Sequence, residues 1–128
     1  MIVVDVGVDC KPGCSLSFRV LTSWVERLVG LLGTGRDAMP VVLMRCASIH
    51  TFGMRYPLDV AFVDGEGRVL LSQRALPPKR LLSVRNAFCV FERPSGDAPW
   101  LEEGDRVSMT SLRYVGLAVD GERDGCYA

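Results

Sequence analysis

Apolar and polar residues alternate in short bursts along most of the chain, and turn residues interrupt the pattern at close intervals. Met1 to Val8 is rich in β-branched residues and poor in polar ones, which predicts a strand. Ser15 to Leu21 sets Leu16, Phe18 and Val20 against Ser15, Ser17 and Arg19, the two-residue period of a half-buried strand. Between them, Cys10-Lys11-Pro12-Gly13-Cys14 reads as a turn because Pro-Gly fixes a bend. The chain should therefore open on a β-hairpin. The period then changes. Ser23-Trp24-Val25-Glu26 is a capping-box pattern. Trp24, Leu28 and Leu31, with Val25, Leu28 and Leu32, recur at helical spacing until Gly33 and Gly35. This predicts one short helix over about residues 23–32, with Gly30 inside it at a cost of roughly 1 kcal/mol relative to alanine. Close packing against a sheet would account for that glycine.

The remainder reads as strands: Val41 to Arg45, Leu58 to Val63, Arg68 to Gln73, Ala87 to Glu92, Arg106 to Thr110 and Tyr114 to Val119. Asp64-Gly65-Glu66-Gly67 is a hairpin turn. The tandem prolines of Leu76-Pro77-Pro78-Lys79-Arg80 cannot sit in a central strand and mark a loop. Pro94 to Pro99 marks a second loop, and Glu103-Gly104-Asp105 a turn. The expected fold is mainly β (α+β): a curled antiparallel sheet or a partly closed β-barrel, with the helix over one face or one open end. Residues 1–128 suffice for a single domain with a sizeable core, and 119–128 read as a polar, flexible tail.

Composition narrows the function. The formal net charge is +0 and no basic run occurs, so nucleic acid is not an expected partner. No apolar run approaches the ~18 residues of a membrane span. Met1 to Asp5 lacks the basic segment of a signal peptide, so a cytoplasmic location is the default expectation. The cysteines at 10, 14, 46, 89 and 126 are odd in number and irregular in spacing, which does not describe a disulfide framework.

Chemistry concentrates in Ile49 to Asp59, which holds the sole histidine of the chain, His50, followed by Thr51, Met54, Arg55 and Asp59. Cys46 stands four residues from His50, a separation of roughly 13 Å along a strand, too far for a nucleophile and its base unless the chain bends. Cys89 can approach from another strand, or both thiols simply fill the core. Cys10 and Cys14 form a C-x3-C pair, but no second knuckle exists. A bridge between them, or two unrelated thiols, is the preferred reading over zinc. Arg55 offers a planar fork of donors and Asp59 an acceptor, enough for a small anion or sugar or for a structural salt bridge. Trp24 and Trp100 are stacking platforms or packing. Asp64 to Gly67 is too short for a calcium loop.

Set in order, these residues resemble a known family. From about Trp24 to Val107 the chain is similar to bacterial and archaeal proteins grouped as domain of unknown function 192. The resemblance rests on Arg27 before Gly30-Leu31-Leu32, on Ile49 through Asp64, and on Gly67-Arg68-Val69. It continues through Leu76 to Arg80, Phe91-Glu92-Arg93-Pro94-Ser95-Gly96 and Gly104-Asp105. The chain departs from the family at Arg93, where an apolar residue is usual, at Ser95, where alanine is, and at Lys79, where tryptophan is common. The cysteine turn and Cys126 lie outside the resemblance. It implies a small, mainly β domain and supplies no reaction, cofactor or metal. Many relatives carry an export or membrane segment, and some lie beside secretion or pilus genes, which implies a secretion-associated partner as one option.

The first expectation is thus a binding or accessory domain for a small ligand or a protein partner. Its polar pocket would be formed by His50, Thr51, Met54, Arg55, Asp59, Glu92 and Arg27, with Arg55, Asp59 and Glu92 converging. The alternative is a small hydrolase-like or metal-dependent enzyme, which needs His50 within ~3 Å of a carboxylate, a thiol or a metal. A third reading makes the same residues a buried polar network that only fixes the fold.

Overall fold

The computed structural model describes residues 1–116. Nine strands and one helix follow the chain: β1 (Ile2–Val8), β2 (Lys11–Leu21), α1 (Trp24–Val29), β3 (Val41–Met44), β4 (Ser48–His50), β5 (Leu58–Val63), β6 (Val69–Leu76), β7 (Leu81–Ser83), β8 (Cys89–Pro94) and β9 (Val107–Tyr114). Seven strands form one sheet in the order β6-β5-β8-β3-β2-β1-β9, and β4 pairs with β7 in a separate ribbon. The expectation of a mainly β, curled sheet with one short helix holds.

The sheet is mixed rather than purely antiparallel, because β2 and β3 run parallel, with Arg19 opposite Val41 and Leu21 opposite Leu43. A parallel pair cannot be joined by a tight hairpin. The chain between them leaves the sheet as a crossover containing α1 and the residues up to Pro40. The sheet curls until its edges touch without closing into a barrel. Arg68 bridges Arg106, and the Val107 and Val69 amides donate to the carbonyls of Gly67 and Asp105. Gly67 makes this approach possible: its φ is +88°, and a Cβ there would stand 2.5 Å from the Val107 carbonyl oxygen.

Both faces of the central strands are buried. Cys89, Phe91, Ala61, Val63 and Val42 face inward with Phe18, Val69, Trp100 and Leu101. Phe18 meets Phe91 edge-on at 4.6 Å between ring centres. Val90, Val60, Phe62, Val41 and Leu43 face outward, under Leu31, Ile49 and Tyr56. Strand residues alternate between faces, so consecutive residues of β5 and β8 contribute to different cores. A strand buried on both sides reads as a continuous apolar run, which is why Leu58 to Val63 is so legible.

The structure corrects several local expectations. The Ser23 capping box forms, with Ser23 Oγ accepting from the Glu26 amide at 3.1 Å and Glu26 Oε1 accepting from the Ser23 amide at 3.3 Å. The helix, however, ends at Val29, and Gly30 is its cap at φ +52° and ψ −121°. The glycine is therefore a stop rather than an interior position. The opening turn is tighter than expected: Lys11 to Cys14 already belong to β2, and Cys10 turns at φ +67°. Cys10 and Cys14 are free thiols. β4 and β7 escape sequence reading because three residues cannot show a period. β9 runs unbroken to Tyr114, where two strands were expected. The proposed continuation to Val119, the tail at 119–128 and Cys126 lie outside the described residues. No helix of the described residues is long and apolar enough to cross a membrane.

Candidate functional site

Two carboxylates sit one ladder step apart on neighbouring central strands and have opposite surroundings. Asp59 of β5 pairs in register with Arg93 of β8, and Val60 pairs with Glu92. Alternation puts Asp59 and Arg93 on the inner face and Glu92 on the outer face.

Asp59 is fully buried and saturated. It accepts from Arg93 Nε at 2.9 Å, Ser95 Oγ at 3.0 Å and the Ala75 amide at 2.9 Å. Arg74 Nε lies at 3.2 Å. Burial alone would raise its pKa, but the Ala75 amide, Arg93, Ser95 and the Arg74 charge together hold it below the usual carboxylate value. Arg93 is just as fully used. Its Nη1 and Nη2 donate to the Pro99 and Ala98 carbonyls at 2.9 and 2.6 Å, and its guanidinium lies 4.7 Å over the Trp100 ring. This is an ion pair built to hold the 94–100 loop against the sheet.

Glu92 is 4% exposed, no hydrogen bond reaches its carboxyl among the described residues, and neither carboxyl oxygen is both fully shielded and unpaired. Val41 and Val60 flank it on the ladder. Burial pushes its pKa up to about 7. A Cβ at Gly30 would lie 3.2 Å from Glu92 Oε1, so the turn that ends α1 rests directly on this carboxyl. Beside it opens a cavity of about 210 Å³ between the crossover, β3, β4 and the 52–54 turn. Leu31, Leu32, Leu43, Ile49, Phe52, Met54 and Leu58 supply its apolar wall, and Arg27, Cys46, Ser48 and His50 its polar atoms.

The polar groups of the wall are mostly committed. Arg27 Nη1 donates to the carbonyls of Met44 and Arg45 at 3.3 and 2.8 Å, tying α1 to the end of β3. The Cys46 thiol donates to the Ser48 carbonyl at 3.1 Å. Burial chiefly raises the Cys46 pKa, a hydrogen bond with the Ser48 backbone and the Arg27 charge oppose this, and Glu92 adds to it. Burial pushes the Cys89 thiol up to about 12. Neither thiol is an activated thiolate at neutral pH. His50 is exposed and stacks obliquely on Phe52, 6.0 Å between ring centres. Among the described residues it has no hydrogen-bonded carboxylate or thiol, so the arrangement required by a His50-based hydrolase is not assembled there. Nor do three His, Cys, Asp or Glu residues gather around a metal position among the described residues.

The predicted residues therefore divide. Arg27, His50, Met54 and Glu92 line one cavity. Thr51 is fully buried elsewhere: its hydroxyl donates to the Pro77 carbonyl at 2.8 Å and accepts from the Arg80 amide at 2.8 Å, holding the diproline loop. Arg55 is exposed and lines a second, neighbouring depression with Gly33, Thr34, Gly53 and Met54. The expected convergence of Arg55, Asp59 and Glu92 does not occur, because β5 and β8 turn the two acids to opposite faces. Ser48 was missed because it lies in a three-residue strand that shows no period, and most of the apolar lining was read as core rather than as a pocket wall.

Together these features define a small curled-sheet domain with an acid at the base of an apolar pocket. The chain belongs to the domain of unknown function 192 family, described as an uncharacterized ACR, whose sequence pattern matches residues 11–109. The match begins at Lys11 and so includes Cys14, which the motif resemblance left outside. No curated protein matches the chain. Two solved structures share the fold. A protein of unknown function from Novosphingobium aromaticivorans DSM 12444 is 20% identical with a TM-score of 0.63, covering 84% of both chains. A protein from Sinorhizobium meliloti 1021, provisionally described as a transcription regulator, is 18% identical with a TM-score of 0.67, covering 84% of this chain and 93% of that one.

Proposed function

We propose that this chain is a binding domain that holds a small ligand in the cavity beside β8, with Glu92 as its polar anchor and Arg27, His50 and Met54 at its wall. One observation carries the reading: a carboxyl on a central strand is buried against an open cavity, with no partner among the described residues. An unpaired acid in an apolar site costs stability, and a fold that needed only packing would be served by valine or leucine here. Concave, mainly apolar sites with a few directed polar groups are the usual form of small-molecule pockets. Asp59, by contrast, supports the structural-network reading for its own half of the motif, and Thr51 belongs with it.

The test is a ligand-observed magnetic resonance screen of a fragment library against the wild-type chain and Glu92→Leu. Expected are fragments whose signals respond to the wild type and lose the response with Glu92→Leu, while thermal unfolding shows the variant folded. Fragments that bind both proteins alike, or none that bind either, would remove the reading.

A further inference from the structure

We infer that the occupant of the Glu92 cavity is a primary ammonium group on a short apolar stem. The inference rests on the pocket reading above and names its ligand class. Three observations carry it.

First, the anchor is an acid to which no cation is bonded among the described residues. The groups facing it from each packed element are Arg27 of α1, Cys46 before β4, Ser48 and His50 of β4, and the valines at 41 and 60. Arg27 is engaged with two backbone carbonyls, and Cys46 with a third. Ser48 pairs with Ser83. His50 lies exposed against Phe52. A cationic ligand supplies the charged donor that none of these groups gives the carboxyl, and a charge-assisted hydrogen bond is roughly twice as strong as a neutral one.

Second, the approach is single-pointed. Gly30 stands beside Oε1, since a Cβ there would lie 3.2 Å from that oxygen. A guanidinium or amidinium is best served by both carboxylate oxygens side by side. An ammonium needs one. Third, the cavity is about 210 Å³ and its wall is mainly leucine, isoleucine, methionine and phenylalanine. A cavity of about 150 Å³ takes benzene, so this one accommodates roughly six to ten non-hydrogen atoms, most of them carbon.

Glu92 is held protonated up to about pH 7 by burial. An alkylammonium that binds the carboxylate therefore displaces its proton: the neutral acid and RNH3+ give the paired carboxylate and ammonium plus one H+ released to solvent. Affinity should rise by about tenfold per pH unit below that pKa and level off above it.

The experiment is isothermal titration with n-pentylamine, 1-pentanol and pentanoate at pH 5.5, 6.5 and 8.5. A short peptide with one central lysine represents the same ammonium carried by a protein. Expected is pentylamine binding at least about tenfold tighter than pentanol at pH 8.5, no binding of pentanoate, and the proton-linked rise between pH 5.5 and 6.5. Glu92→Gln should abolish the rise and the preference for the amine. A lysine peptide binding more tightly than pentylamine would assign the ammonium to a protein side chain, and the reverse to a free amine. Equal or tighter binding of pentanol, or a flat pH profile, overturns the inference and leaves the pocket standing. Failure of all probes and of the fragment screen removes both. If Glu92→Gln does not fold, the wild-type comparison of pentylamine with pentanol across pH decides alone.

Discussion

Asp59 and Glu92 are the same functional group placed on adjacent strands of the same sheet, and they do opposite things. Asp59 collects donors from Arg93, Ser95 and the Ala75 amide until its charge is fully matched. Glu92 is as deeply buried and has valines on either side and a glycine turn over it. The contrast teaches that burial does not decide what an acid is for. What decides is whether the surroundings were built to match its charge. A matched acid fixes structure, and an unmatched one is held ready for something else.

The largest effect that would break the comparison lies on the matched side. Arg93→Ala should destabilise the fold by about 3–5 kcal/mol, because it leaves the buried Asp59 charge without its principal partner. Chemical denaturation at pH 7 measures this. A loss under 1 kcal/mol would mean that Arg74 and Ser95 suffice to hold Asp59.

The second effect separates the two acids by pH. The folded-state pKa of Glu92 is raised from 4.5 to about 7. Its contribution to stability is therefore fully present below the unfolded value and is lost as pH rises through 7. The drop is roughly 3 kcal/mol at most between pH 4.5 and 8. The folded-state pKa of Asp59 is lowered, so its contribution is present above the unfolded value of 3.8 and is lost as pH falls through its folded pKa. Glu92→Gln should erase the neutral limb of the stability curve and leave the acid limb intact. Urea midpoints measured from pH 3 to 8 check this, and a neutral limb that survives the substitution would assign it to another group.

The smallest effect sharpens the division within the 49–59 motif. Thr51→Val removes a hydroxyl that serves Pro77 and Arg80 and should cost about 1–2 kcal/mol. Binding of any pocket ligand should be unchanged, because Thr51 does not line the cavity. A change in affinity without a change in stability would place Thr51 with Glu92 instead.

Much of this fold was legible because most of its strands carry either an alternating pattern or an unbroken apolar run. Val60 to Val63 is unmistakable, and the Ser23 capping box is a local signal that tertiary packing did not override. The ribbon of β4 and β7 carries neither pattern, and the parallel pairing of β2 with β3 cannot be read from any single stretch. The site was half legible for a related reason. Glu92, His50, Met54 and Arg27 stand out by residue type, but which acid faces which side depends on strand register, and a one-residue offset reverses it. Arg93 looked only like a departure from the family pattern. Its actual role as the partner of Asp59 follows from the ladder that puts the two opposite each other.

The parallel pair at the centre of the sheet has a consequence for how such a domain diversifies. Because β2 and β3 must be joined at a distance, their connection cannot be shortened to a turn, and it forms the roof of the cavity. Insertions or deletions between Thr22 and Pro40 would leave every rung of the ladder in place while raising or lowering that roof. On the proposed reading, one sheet can thus accommodate ligands of many sizes, with the acid as the fixed point and the crossover as the part free to vary.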